Sequence, residues 1–125
     1  MMDRAPDTGK GHRVVFQFVS PDDASQKALI SNLKNLLAIW PEAEVEVVVH
    51  GPGIDLITAS ETRYAQPLQQ FVDHHVVRIV VCENSLRSKQ LTLDDMLPSV
   101  ETVPVAIIEL ILKQEQGWAY IKAGV

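Results

Sequence analysis

The sequence has a single cysteine and lacks a long apolar run and the usual spacings of metal-binding residues. Its 125 residues include one cysteine, so no disulfide can form within the chain. Cys82 is therefore expected to be a free thiol, or a transiently modified one, in a reducing compartment. No apolar run approaches the roughly 20 residues of a membrane-spanning helix, and Met1 to His12 lacks the apolar segment of a signal peptide. These absences predict a cytoplasmic protein without membrane association.

Basic residues are also scarce. Lys and Arg number 11 against 16 Asp and Glu, which gives a net charge of −5, and they are scattered rather than clustered. A nucleic-acid partner is therefore not expected, because binding to phosphates needs a clustered basic surface. The polar residues 1–11 offer few apolar side chains to bury, which predicts a disordered tail that is dispensable for folding. Residues 12–125 are expected to form a single α/β domain.

Several motifs of enzymes and metal sites are missing. The sequence has no CxxC or HxxxH spacing, so no metal site is expected. It has no GxGxxG or P-loop for a nucleotide, and no GxSxG, HExxH or kinase element. We therefore expect no bound cofactor, and a self-contained hydrolase or transferase is disfavoured.

Apolar β-branched runs alternate with segments of helical periodicity along the chain. Strands are predicted over 13–19, 45–50, 76–82, 100–103 and 118–121, and the longer helices over 21–40, 65–75 and 104–116. Ser20 and Pro21 have the features of a helix N-cap and first helical position, and Thr92 those of a capping residue before a shorter helix. Strands and helices in this order predict a three-layer α/β/α fold with a mostly parallel five-stranded sheet.

Cys82 stands at the point where the third and most apolar strand ends. The carboxyl ends of parallel strands line the crevice where ligands bind, and the backbone N–H groups of Asn84 and Ser85, at the start of the next helix, would favour a thiolate. Arg87 could add positive charge, whereas Glu83 opposes it. The alternative is that Cys82 is a small buried hydrophobic residue without reactivity.

The second strand ends in a similar way, at His50 followed by Gly51, Pro52 and Gly53. His50 and Cys82 could therefore reach the same edge of the sheet, and a Cys–His pair suits an activated nucleophile or proton exchange. The turn from Gly51 to Gly53 exposes backbone N–H groups that could bind an anion. A plain turn is the alternative interpretation.

Three segments together resemble a known family. They are Val-Val-Val-His-Gly-Pro-Gly-Ile at 47–54, Val-Cys-Glu-Asn-Ser-Leu-Arg at 81–87 and Gly-Trp-Ala-Tyr-Ile at 117–121. They are similar to the DsrE-like (DsrE/DsrF, YchN-like) family of small sulfur-relay proteins, most specifically in the cysteine and the Asn-Ser-Leu-Arg run behind it. The resemblance implies a three-layer domain on a five-stranded parallel sheet, assembly into homotrimers or hexamers, and sulfur carried as a cysteine persulfide.

Two classes of function follow. In the first, Cys82 is the persulfide-carrying thiol of a sulfur carrier, His50 and the N–H groups of Asn84 and Ser85 line its pocket, and Arg87 supports the anion. With no second cysteine, sulfur would come from a donor protein and pass to an acceptor protein or between subunits. In the second, the chain is a non-catalytic oligomer that binds a small anion or only shares the fold. The apolar residues of the helix at 105–116 predict a homo-oligomer in both cases.

Overall fold

The structure is a computed structural model that describes residues 7–124. Its strands are β1 (Arg13–Phe18), β2 (Glu44–Val49), β3 (Val76–Cys82), β4 (Glu101–Val103) and β5 (Ala119–Lys122), and its α-helices are α1 (Asp23–Ile39), α2 (Ala65–His74), α3 (Glu83–Ser88) and α4 (Ala106–Glu115). Two 3-10 helices, Gly51–Ile57 and Leu93–Asp95, lie between them. The five strands form one sheet in the order β4-β3-β2-β1-β5, and each adjacent pair is parallel. The predicted α/β fold class is confirmed.

Alternate residues of the strands face two separate apolar clusters, because successive side chains of a strand point to opposite faces. The larger cluster joins strand residues such as Phe16, Val47 and Ile79 to α1 and α2. The smaller one contains Val15, Val48, Val80, Cys82 and Val103 with Ala106 and Leu110 of α4. Helix α4 is thus the helix that packs on the Cys82 face of the sheet.

Two helices begin later than predicted. Helix α1 starts at Asp23 with Asp22 as its N-cap, and the hydroxyl of Ser20 accepts a hydrogen bond from Asp22 N–H at 3.1 Å outside the helix. Helix α4 starts at Ala106 rather than Pro104. The fixed φ of proline suits an extended lead-in as well as a first helical turn, so proline did not identify the first helical residue. The capping prediction at Thr92 is confirmed by a capping box at the second 3-10 helix.

Residues 7–11 of the predicted tail contact the rest of the protein. Glu42 N–H donates a hydrogen bond to the carbonyl of Thr8 at 2.9 Å, and Gly9 lies so close to Trp40 that an added Cβ would be 2.3 Å from its side chain. The remainder of the predicted tail, residues 1–6, lies outside the described residues. Across residues 7–124, no helix is both long enough and apolar enough to cross a membrane.

Candidate functional site

Cys82 closes β3 at the carboxyl edge of the sheet and is a free thiol. Only 5% of the residue is exposed, and it packs in the smaller apolar cluster with Val80, Val103 and Ala106. Cys82 therefore lies at the edge of the sheet where the sequence predicted ligand binding. It lies beneath the start of α4, however, rather than on an open surface.

Polar groups from two helices surround the sulfur of Cys82. The backbone N–H groups of Ala106, Ser85 and Asn84 and the hydroxyl of Ser85 are the hydrogen-bond donors that act on the pKa of its thiol. Burial raises the pKa of the Cys82 thiol, because it penalises the charged form, but these four donors together lower the pKa below its ordinary value. The surroundings of the sulfur thus make the thiolate more accessible than it is in an ordinary cysteine, which favours a nucleophilic role.

Ser85 is held by the turn that follows β2. Gly51 N–H donates a hydrogen bond to the Ser85 hydroxyl oxygen at 2.8 Å, which leaves the hydroxyl proton free to point at Cys82. Gly51 has a φ of +56°, a left-handed conformation that a residue with a side chain adopts at a cost. The glycine therefore contributes to the sulfur environment through Ser85.

His50 follows β2 at the same level as Cys82. Val49 pairs with Val81 in the parallel register, so His50, the first residue after β2, is level with Cys82, the last residue of β3. His50 Nε2 lies 2.9 Å from Gln17 Nε2, and burial lowers the pKa of the His50 imidazole. The hydroxyl of Tyr120 donates a hydrogen bond to Gln17 Oε1, which extends this polar chain to β5.

The other predicted residues have different surroundings. Gly53 is buried in the first 3-10 helix, and a Cβ there would lie 2.7 Å from the carbonyl oxygen of Phe18. Its role is therefore close packing. Arg87 is exposed and its guanidinium donates to Asn84 Oδ1, while Glu83 is half-buried as the first residue of α3.

A shallow depression of about 360 Å³ lies outside the sulfur environment, and its lining consists of Gly51, Pro52, Asn84, Ser85, Ser88 and Lys89. Cys82, His50, Glu83 and Arg87 are not part of this lining. No group of three or more His, Cys, Asp or Glu residues in the described range 7–124 is arranged to hold a metal ion. The depression and the sulfur environment share only Asn84 and Ser85 directly.

Sequence reasoning missed Ala106, Gln17 and Tyr120. The sequence indicates a helix start after β4, whose first N–H groups are possible hydrogen-bond donors. That helix start lies beside Cys82 only because β4 is the neighbour of β3. Gln17 was visible as the polar residue within an apolar strand. Its partners depend on β1 lying between β2 and β5.

Fold and site together define a small parallel α/β protein with one thiol, hydrogen-bonded by backbone N–H groups at the carboxyl edge of its sheet. The model of the DsrE/DsrF-like family matches residues 12–123, and the chain belongs to this family. A solved structure of the protein of unknown function MTH1491 from Methanobacterium thermoautotrophicum has the same fold, with a TM-score of 0.83 and 31% sequence identity over 89% of this chain and 98% of that one. A search of curated proteins finds no significant match.

Proposed function

We propose that the protein is a sulfur carrier in which Cys82 holds sulfur as a persulfide. The observation that supports this most directly is the set of four hydrogen-bond donors around the Cys82 sulfur, which lowers its pKa despite burial. A buried cysteine with a purely structural role has no need of such donors, and desolvation alone would leave it protonated. Family membership agrees with this assignment, and a free thiol suits a reducing cytoplasm.

The proposed reaction exchanges one sulfur–sulfur bond for another. The Cys82 thiolate attacks the terminal sulfur of a donor persulfide, a bond forms between Cys82 Sγ and that sulfur, and the bond between the donor's two sulfurs breaks. The donor leaves as a thiolate, which takes up the proton that Cys82 released on ionising. In the second half, an acceptor thiolate attacks the terminal sulfur held on Cys82, and Cys82 leaves as a thiolate. No net oxidation or reduction occurs. The N–H groups of Ala106, Ser85 and Asn84 stabilise Cys82 as nucleophile in the first half and as leaving group in the second.

The thiol that accepts the sulfur must belong to another chain. Cys82 is the only cysteine in the sequence, so no second cysteine can displace the carried sulfur by forming an intrachain disulfide. A cysteine of a partner protein, or Cys82 of another subunit, would be the acceptor. Because Cys82 is only 5% exposed, the reaction also requires a local opening at the edge of the sheet.

A homo-oligomer is part of the proposal. Four large apolar residues of α4, Ile107, Ile108, Ile111 and Leu112, are between 44% and 54% exposed, while the residues that α4 buries are Ala106 and Leu110. An apolar helix face of this kind typically marks a protein interface. The assembly that the family resemblance implies is a homotrimer or hexamer.

Binding of a small anion without sulfur transfer is the second candidate. The low exposure of Cys82 favours it, and so does the depression beside Ser85, whose lining includes the cation Lys89. Lys89 Nζ lies 3.7 Å from Asp55 Oδ1, however, which offsets part of its charge. In this case Cys82 would be inert.

The two candidates differ in thiol chemistry. We would incubate the protein with a low-molecular-weight persulfide, follow the intact mass, and measure the rate of Cys82 alkylation against pH, with Cys82→Ser as the blank. A carrier gains the mass of one sulfur atom, loses it to an added thiol, and alkylates at a lower pH than an ordinary cysteine does. No mass gain, together with the alkylation profile of an ordinary thiol, would reject the carrier and favour the anion-binding protein.

A further inference from the structure

A chain of three polar side chains crosses the α4 face of the sheet beside Cys82. It runs from Tyr120 in β5 through Gln17 in β1 to His50 after β2. Gln17 pairs with Val48 in the register of β1 and β2, and both Val48 and Cys82 belong to the cluster on this face. The chain therefore lies on the same side of the sheet as the thiol.

The orientation of the Gln17 amide determines which nitrogen of His50 accepts a hydrogen bond. Tyr120 Oη donates to Gln17 Oε1, so the amide nitrogen Nε2 is the atom that faces His50, at 2.9 Å from its Nε2. An amide NH₂ group is a donor only, which requires the ring nitrogen opposite it to be an unprotonated acceptor. The proton of a neutral His50 then resides on Nδ1.

We infer that Gln17 is a positioning residue whose amide, oriented by Tyr120, holds His50 as the neutral Nδ1–H tautomer, which leaves Nδ1–H as the ring group that can donate to a persulfide on Cys82. The role of His50 in sulfur chemistry rests on the proposed function. The tautomer itself rests only on the contacts among the three side chains.

Gln17 also disfavours the imidazolium form of His50. Protonation at Nε2 would place an N–H group opposite the amide NH₂, so the hydrogen bond would be lost and two donors would face each other. The negative charge on sulfur is then stabilised by the N–H groups around Cys82 rather than by a histidine cation. A neutral donor orients a persulfide without binding it as tightly as a cation would, which suits a sulfur atom that must be passed on.

The tautomer can be measured directly in the full-length protein. We would label histidine with ¹⁵N and record the ring nitrogen resonances over a pH series, assigning His50 with His50→Gln. We expect His50 to show an unprotonated Nε2 and a protonated Nδ1 at neutral pH. A protonated Nε2 in the wild type would overturn the inference.

Substitutions of Gln17 separate positioning from a structural role. In Gln17→Glu a carboxylate acceptor replaces the amide donor, so we expect the proton to move to Nε2 and the midpoint of the His50 titration to rise by about one unit or more. In Gln17→Met the preference for Nδ1–H should weaken, while the midpoint of the His50 titration should rise by less than in Gln17→Glu. Tyr120→Phe, which keeps the ring, should also weaken it by freeing the amide to turn. Unchanged His50 resonances in folded Gln17→Glu and Gln17→Met would contradict the inference.

Sulfur uptake gives a second readout. We expect Gln17→Glu to slow persulfide formation at Cys82 by about tenfold, the effect of losing one hydrogen bond of ordinary strength, while the Cys82 thiol remains alkylatable. A rate equal to that of the wild type would overturn the assigned role of Gln17. If the wild type takes up no sulfur, the proposed function fails, while the tautomer measurement still decides whether Gln17 sets the state of His50.

Discussion

The backbone N–H of Gly51 donates a hydrogen bond of 2.8 Å to the hydroxyl oxygen of Ser85. This contact joins the turn after β2 to the helix after β3, two segments that are 34 residues apart in sequence. Because the hydroxyl oxygen is engaged as an acceptor, its own proton is available to the sulfur of Cys82. Ser85 therefore affects the thiol through its backbone N–H and through its side chain, and only the side-chain contribution can be removed by substitution.

We expect Ser85→Ala to reduce the reactivity of Cys82. The substitution removes one of the hydrogen bonds that lower the pKa of the thiol, so the alkylation rate at pH 7 should fall by up to about tenfold. The rate would be measured with a small alkylating reagent across a pH series. Ser88→Ala is the matched control, since Ser88 lies at the end of the same helix, lines the neighbouring depression and is exposed. Equal rates for both variants would show that the hydroxyl does not stabilise the thiolate.

The two glycines of the turn should respond differently to alanine. At Gly53 a new Cβ would lie 2.7 Å from the backbone oxygen of Phe18, so backbone has to move, and we expect a loss of about 1 to 3 kcal/mol in the free energy of unfolding. At Gly51 a Cβ meets nothing within 4 Å, and the cost, about 1 kcal/mol, comes from the positive φ alone. Urea unfolding of Gly51→Ala and Gly53→Ala would measure both. A Gly53→Ala variant as stable as the wild type would argue against the packing role.

Much of the fold follows from local patterns, whereas the site does so only in part. Short apolar runs bounded by turn residues identified all five strands, including the exposed β5, because such patterns depend on neighbouring residues alone. Asn84 and Ser85 were predicted for the same reason, since they follow Cys82 directly. Ala106 and Gln17 were not predicted, because their proximity to the site depends on the order in which the strands assemble, and no local pattern encodes that order.

The stability of the protein should depend on pH through Glu46. This residue is 1% exposed in the central strand β2, where its carboxylate lies 3.0 Å from Arg78 Nη1 and 3.6 Å from Lys113 Nζ. Burial, with a hydrogen bond to Glu109 and the charge of Glu109, nevertheless raises the pKa of Glu46 from 4.5 to about 7. Glu101 completes the cluster through a 3.0 Å contact with Arg78 Nε.

A carboxyl group with a raised pKa destabilises the folded state when it is charged. Between about pH 4.5 and pH 7 the unfolded chain releases the Glu46 proton while the folded protein retains it, so this contribution makes the protein less stable as pH rises and levels off above pH 7. We expect urea unfolding of Glu46→Gln to lack this decrease, a difference from the wild type of up to about 3 kcal/mol across the range. Glu101→Gln, which leaves the buried carboxyl in place, should keep it. Parallel stability curves for wild type and Glu46→Gln would contradict the assignment.

The exposed face of α4 should mediate self-association. Ile108 is 54% exposed on α4 and Ile39 is 72% exposed at the end of α1, so the same change to aspartate at each position tests location rather than chemistry. If α4 forms the interface, a charge at Ile108 has to be buried without a partner, which is costly, and Ile108→Asp should dissociate the oligomer, whereas Ile39→Asp should not. Light scattering at micromolar concentration would give the mass of each protein, and circular dichroism would confirm that both variants are folded. A monomeric wild type, or dissociation by Ile39→Asp with Ile108→Asp unaffected, would show that α4 is not the interface.

If sulfur transfer also requires assembly, the folded Ile108→Asp monomer should retain an alkylatable Cys82 but pass on its sulfur more slowly than the wild type.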